Sequence, residues 1–309
     1  MGASTGMVQA ETATDFPSRP IKLVVPVGPG GIYDYLGRTL GDMLSKELKQ
    51  PVVVENKTGA GSVVGTQYVV KSAPDGYTMV IGGVGSIAHS SALVKNLPYS
   101  PGKDLVPLQL AASNSYTLVS RPGFGPKNLQ EVIAYAKNNP GKLTIASPGK
   151  GTGQTVAALM LKSLAGIDIL EVQYKGASPA YIDLMAGRID LFFDSTGTTA
   201  PYVQSGKIGA IASSGTSRDF PNVPTAAESG LKDMVLLNWT GLFAPAATPK
   251  PIVLRLRQAI NKVVATDAFK EKLKARRLDG FSPDDVETFV QSEIKRWPAA
   301  LAKAGVTAK

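Results

Sequence analysis

The strongest constraint on the fold is a unit that recurs along the chain: a short run rich in β-branched residues, a turn of Gly, Ser, Thr or Pro, then a stretch with helical spacing. Strands that alternate with helices in this way specify an α/β protein, because each buried strand needs a helix to cover it. The first unit is the clearest. Ile21–Val27 reads as a buried strand, Gly28-Pro-Gly-Gly31 as the turn, and Leu36, Leu40, Met43, Leu44 and Leu48 fall on one helical face. Further units start at Pro51–Glu55, Tyr77–Ile81, Leu143–Ala146, Glu171–Tyr174 and Ile189–Phe193. Two longer stretches, Leu105–Val119 and Met234–Phe243, read as extended and suit a middle domain inserted between the halves of another. After Pro249 the chain reads as helical: Ile252, Leu256, Ile260 and Val264 share a face, Phe269–Leu278 follows, and a last helix is expected to be capped by Ser282-Pro283.

Composition excludes several chemistries. The 309 residues hold no Cys and one His, His89, so disulfides, thiol nucleophiles and cysteine or three-histidine metal sites are ruled out. No metal or other cofactor is expected. The formal charge of +9 is densest at Phe269–Arg277, where no aromatic residues interleave to stack bases; a solvated helix face is the expected reading, and nucleic acid is not an expected partner. No uncharged apolar run reaches the roughly 18 residues of a membrane span. Residues 1–15 lack a basic start and an apolar stretch and do not read as a signal peptide, although Val8-Gln9-Ala10 has the small-residue look of a cleavage site.

Chemistry is expected in the loops. A Gly- or Ser-rich turn between a strand and a helix presents unpaired backbone N–H groups at the positive helix end, which suits a carboxylate. Gly28, Gly30 and Gly31 form one such place, with a plain tight turn as the bland alternative. Gly83 and Ser86 lie in another. Ser147, Gly151, Thr152 and Thr155 offer hydroxyls and backbone in a third. In Tyr174–Ala180, Ser178 is expected to cap a helix starting at Pro179, with Gly176 and Ala177 facing outward. Lys175 either adds a point charge or is an ordinary solvated lysine. Asp34 sits in a helix first turn, where the dipole favours it, and Asp194 either caps the segment after its strand or faces a ligand.

Nucleotide fingerprints fail. Gly151 follows Gly149-Lys150 where a phosphate-binding loop needs Ser or Thr, and in Gly59–Gly65 the third Gly comes one residue late. The competing reading is a hydrolase in which His89 serves Ser86, Ser90 or Ser91 with Asp34 or Asp194 as the acid; no G-x-S-x-G elbow supports it.

Seven motifs occur in order: Phe16-Pro-Ser-Arg-Pro-Ile-Lys-Leu-Val-Val-Pro26, Pro29-Gly-Gly-Ile-Tyr-Asp34, Pro51-Val-Val-Val-Glu-Asn56, Gly59-Ala-Gly61, Ala73-Pro-Asp-Gly-Tyr-Thr78, Tyr174-Lys-Gly176 and Asp219–Gly230. With these the chain resembles a solute-binding protein of the tripartite tricarboxylate transporter system, of the Bordetella-uptake-gene (Bug) type, from Phe16 to its end. The resemblance implies a type II periplasmic binding-protein fold: two α/β lobes joined by two crossing strands, closing on one small carboxylate that is delivered to a membrane permease. The expected partition is residues 17–112 with 238–309 in one lobe, 113–237 in the other, and 1–16 as an extension outside both. A monomeric, non-enzymatic receptor in the periplasm is implied. Its carboxylate contacts, made largely through backbone N–H groups and ordered water, map onto Gly28–Asp34, Ser147–Thr155 and Tyr174–Ala177. Two departures stand out. Tyr33 replaces the family's small residue before Asp34, so it either faces the cleft, favouring a longer or aromatic carboxylate, or packs beside the loop. The family's His in the Ser147–Thr155 region is absent, with Gln154 or Thr155 in its place.

Overall fold

The computed structural model describes residues 15–149 and 152–303, so Gly151 lies outside the described residues. The first lobe opens with β1 (Ile21–Val25), α1 (Ile32–Leu48), β2 (Val52–Asn56), α2 (Val63–Val70) and β3 (Thr78–Gly83). A π-helical turn, Val84–His89, then runs into α3 (Ser90–Leu93), and α4 (Pro101–Asp104) leads to the long β4 (Leu105–Ser120). The second lobe holds α5 (Leu129–Asn138), β5 (Thr144–Ser147), α6 (Gly153–Ala165), β6 (Leu170–Gln173), α7 (Ala177–Met185), β7 (Leu191–Ser195), α8 (Thr196–Gln204) and β8 (Gly209–Ser213). The chain returns through β9 (Leu237–Pro245), α9 (Lys250–Ala265), α10 (Asp267–Lys274), β10 (Asp279–Gly280) and α11 (Val286–Lys303).

Strand order is β2-β1-β3-β9-β4-β7-β5-β6, with β8 and β10 also paired to β4. β4 serves both lobes: Leu105–Ser115 pairs with β9, whereas Tyr116–Ser120 pairs with β7 and β8. The return crossing is held by Leu236 N–H donating to the Ser214 carbonyl, and Ser214 N–H to that of Tyr116. The two extended stretches of the sequence are therefore the two strands at the junction of the lobes.

Alternation along the strands explains the layers, since successive side chains point to opposite faces. Ile21, Leu23, Val25, Met79 and Ile81 pack with Leu36, Leu40, Leu44 and Leu48 of α1 and with Ile252, Leu256 and Ile260 of α9. Val24 and Val80 point the other way, into a second apolar layer that includes Val290, Trp297 and Leu301 of α11. Both faces of this mixed sheet are thus covered, as its parallel β2-β1-β3 part requires. Phe16 is buried, edge-on to Tyr77 at 4.9 Å.

Two expected caps are placed differently. Ser282-Pro283 does not start α11; the Asp285 carboxylate accepts from the Thr288 N–H, because its short acidic side chain reaches the first free amide of the turn. Ser178 does not cap α7, whose N-cap is Gly176; its hydroxyl donates instead to the Pro29 carbonyl in the other lobe at 3.1 Å.

Candidate ligand-binding site

A cavity of about 730 Å³ lies between the lobes, within the range of small-molecule sites. Its walls come from the turns at the strand ends of both lobes, and five helices begin there. The N-cap residues Gly31 of α1, Ser62 of α2, Thr152 of α6, Gly176 of α7 and Ser195 of α8 all line it. Each helix start carries free N–H groups and about half a positive charge, falling off within the first turn. Among the lining residues the cationic side chains are Lys95 and Lys175, and none is acidic. The cavity is therefore positive mainly through backbone. A second hollow of about 700 Å³, beside α8 and α10, is lined by Arg218, Lys274 and Arg277 and receives none of these helix starts.

Of the candidate residues, Gly28, Gly31, Tyr33, Ser86, Thr152, Lys175, Gly176 and Ala177 line the cavity together. Gly31 has open space where a Cβ would stand, at an ordinary φ of −85°. Gly30 does not line it: at φ +93° its N–H turns back to Asp34 Oδ2 at 3.2 Å. Asp34 is buried and faces away from the cavity, bonded also to Arg38 and to Asn56 Nδ2. Burial alone would raise its pKa; hydrogen bonds from Arg38, Asn56 and the Gly30 amide outweigh this and hold the carboxyl below its ordinary value. Asp34 thus braces the loop from behind. Ser147 and Thr155 are also buried behind the wall, where their hydroxyls bond each other at 2.8 Å and Thr155 donates to the Gly149 carbonyl.

Tyr33 does both things open to it. Its ring lines the cavity, and its hydroxyl accepts from the Gly85 amide while burial pushes its ionisation up. Tyr116 of β4 faces it from the strand that enters the other lobe, its own ionisation raised by burial and then by Tyr33 and Asp194. Two glycines leave room for these rings. A Cβ at Gly83 would collide with the Tyr33 hydroxyl, and one at Gly153 with the Tyr116 hydroxyl. Gly83 is therefore a spacer under the site rather than part of its surface.

Asp194 is buried beneath the surface at the end of β7. Its Oδ1 accepts from Gln154 Nε2 at 3.0 Å and from the Ser195 amide at 2.8 Å. Burial pushes its carboxyl up to about 6 against these bonds, and the titratable groups facing it are Tyr116 and Tyr181. Its other oxygen and the Tyr181 hydroxyl lack a full hydrogen-bond partner.

Sequence reasoning did not single out three lining residues that matter here, Tyr116, Ser195 and Asn238, and reached Gln154 only as part of the Ser147–Thr155 loop. Ser195 ends a strand before a helix and shared the signal used elsewhere; Tyr116 and Asn238 lie inside strands and have none. The Gly59-Ala-Gly61 turn, rejected as a dinucleotide fingerprint, lies on the rim, where Ala60 and Ser62 hold positive φ angles of 46° and 84°. The lips meet: the Cβ position of Gly149 falls 3.0 Å from Gly61 Cα, and Ser178 bonds Pro29.

His89 is elsewhere. It is fully buried, edge-on to Trp297 at 4.2 Å, with both ring nitrogens unpartnered. The hydroxyls of Ser90 and Ser91 donate to the carbonyls of Ser86 and Ala88. The hydrolase reading fails because the imidazole packs against α11 and bonds none of these serines.

A cleft between two α/β lobes, walled by helix starts and hinged on shared strands, is the site of a solute-binding protein with the type II periplasmic binding-protein fold. The chain belongs to the family described as "Tripartite tricarboxylate transporter family receptor", whose pattern matches residues 36–306. It is similar to the periplasmic binding protein BugD (33% identity, TM-score 0.90, 95% of this chain and 100% of that one). It is also similar to a Rhodopseudomonas palustris protein solved with adipate (29%, 0.90, 96% and 100%) and to MatC of the same species with bound malate (32%, 0.87, 93% and 100%). The family is one of receptors rather than enzymes, and this chain is a receptor.

Proposed function

We propose that this receptor captures a small mono- or dicarboxylate, of medium chain length or aromatic, by closing its lobes on it, and that it works as a monomer in the periplasm and delivers its cargo to a tripartite tricarboxylate-type permease. The observation that carries this reading is the meeting of five helix amino-ends in one cavity free of acidic side chains. Backbone N–H groups at helix starts stabilise an anion without desolvating a buried cation. The helices come from both lobes, so a carboxylate held between them favours the closed state by its differential affinity. The facing Tyr33 and Tyr116 supply flat apolar surface for a longer aliphatic or aromatic body. The adipate and malate bound by the two R. palustris relatives support the same ligand chemistry.

Thermal unfolding with a carboxylate panel tests the reading. A ligand at one hundred times its dissociation constant adds about 2.7 kcal/mol of stability, a shift of several degrees. Adipate, malate, benzoate and their homologues are the first panel. If none of them raises the midpoint, the carboxylate reading is wrong.

A further inference from the structure

The hinge side of the cavity is polar in one direction only. Asn114 Nδ2 donates to the Ser115 carbonyl and, at 2.7 Å, to Ser195 Oγ. A carbonyl can only accept, so the Asn114 amide cannot be turned the other way. Its Oδ1 therefore accepts, and the donor is Asn238 Nδ2 at 3.1 Å. Asn238 Oδ1 is what remains. Asn238 is 2% exposed and lines the cavity, and its Oδ1 has no partner among the described residues.

Gln154 repeats the pattern one residue away from the α6 start. Its Nε2 is committed to Asp194 Oδ1, the carboxylate that also takes the Ser195 amide. With Nε2 held by Asp194, Gln154 lines the cavity with its Oε1 and its second Nε2 hydrogen still to be given. The Ser195 hydroxyl, on a residue that also lines the cavity, already accepts from Asn114 and keeps its own proton to give.

We propose that Asn238, Gln154 and Ser195 form a subsite that reads a hydroxyl group on the carboxylate ligand; this rests on the carboxylate reading above. A hydroxyl donates to an amide oxygen and accepts from Ser195, satisfying both kinds of group. A second carboxylate placed here would set its oxygens against two carbonyl oxygens. A methylene would leave the buried Asn238 Oδ1 without water or partner, a cost that falls on the complex.

Calorimetric titration at pH 7.5 with three matched pairs tests this: succinate with malate, adipate with 2-hydroxyadipate, and benzoate with 4-hydroxybenzoate. In the pair that fits the cavity, the hydroxylated member binds tighter by about three- to tenfold, the worth of one net hydrogen bond. Asn238→Leu brings that affinity ratio to near one, and Gln154→Met, at a half-buried position, lowers it. Equal or tighter binding of the hydroxyl-free member in every binding pair overturns the subsite while leaving the carboxylate reading intact. A ratio unmoved by both variants overturns it too. Binding by none of the six compounds overturns the carboxylate reading, and this inference with it.

Discussion

With one histidine in the chain, the pH dependence of stability just above the carboxylate range has a single imidazole to answer for. Burial first, and the Arg296 charge second, push His89 from its ordinary 6.5 down to about 3. In the unfolded chain the ring takes up a proton below pH 6.5; in the native state it stays neutral until about 3. Unfolding therefore binds a proton throughout that window, and stability falls as the pH falls. From neutral pH to about 4.5 the loss is two units at 1.36 kcal/mol each, or about 3 kcal/mol. Asp194 acts in the opposite sense. Its carboxyl is raised from 3.8 to about 6, so its stabilising effect is present at low pH and is lost as the pH rises through about 6. A wild-type profile alone would show the two partly cancelled. The perturbation that separates them is His89→Leu, which keeps an apolar group against Trp297 and removes the titration. Urea unfolding at pH 7.5 and 4.5 gives four free energies, and the difference between proteins should change by about 3 kcal/mol between the two pH values, with the variant the less acid-sensitive. A difference that is the same at both pH values would refute the burial argument, whatever the variant's stability at either one.

Two glycines in the same cavity should respond in opposite ways. Gly31→Leu places its side chain in open space at an unstrained φ, so the folded protein should keep its thermal midpoint to within a few degrees while binding of any panel carboxylate is lost; retained affinity would show that this loop is not the site. Gly153→Ala should destabilise by about 1–3 kcal/mol in urea, although Gly to Ala at a helix position ordinarily stabilises, because the new methyl collides with the Tyr116 ring; an unchanged midpoint would mean that ring is free to move.

Much of the fold was legible because its determinants are local. The stripe of Leu36, Leu40, Leu44 and Leu48 and the run from Ile21 specify a helix and a strand by their own periods; both appear, the strand ending at Val25 rather than at Val27. Errors fell where two elements compete for one group. Ser178 has the right chemistry for a cap, yet the other lobe offers its hydroxyl a carbonyl, and the cap falls to Gly176. Asp34 looked available to a ligand from its place in the first turn of α1, and only the neighbouring strand, which carries Asn56, shows that its carboxylate is already occupied.

The sequence by itself determined the alternation of strand and helix, the glycine-rich turns that begin the helices, and the exclusion of disulfides, thiol nucleophiles and cysteine or three-histidine metal sites. Those are properties of spacing and residue type, and they survive without knowledge of neighbours. Tertiary structure decided the rest. Only folding carries Gly31, Ser62, Thr152, Gly176 and Ser195 from distant places in the chain to one cavity, where five weak half-charges add up. Only the packed junction orients the amides of Asn114, Asn238 and Gln154, since an amide has no preferred end until its partners are in place. And the burial of His89 against Trp297, rather than its residue type, makes it a pH-sensitive structural group instead of a reactive one.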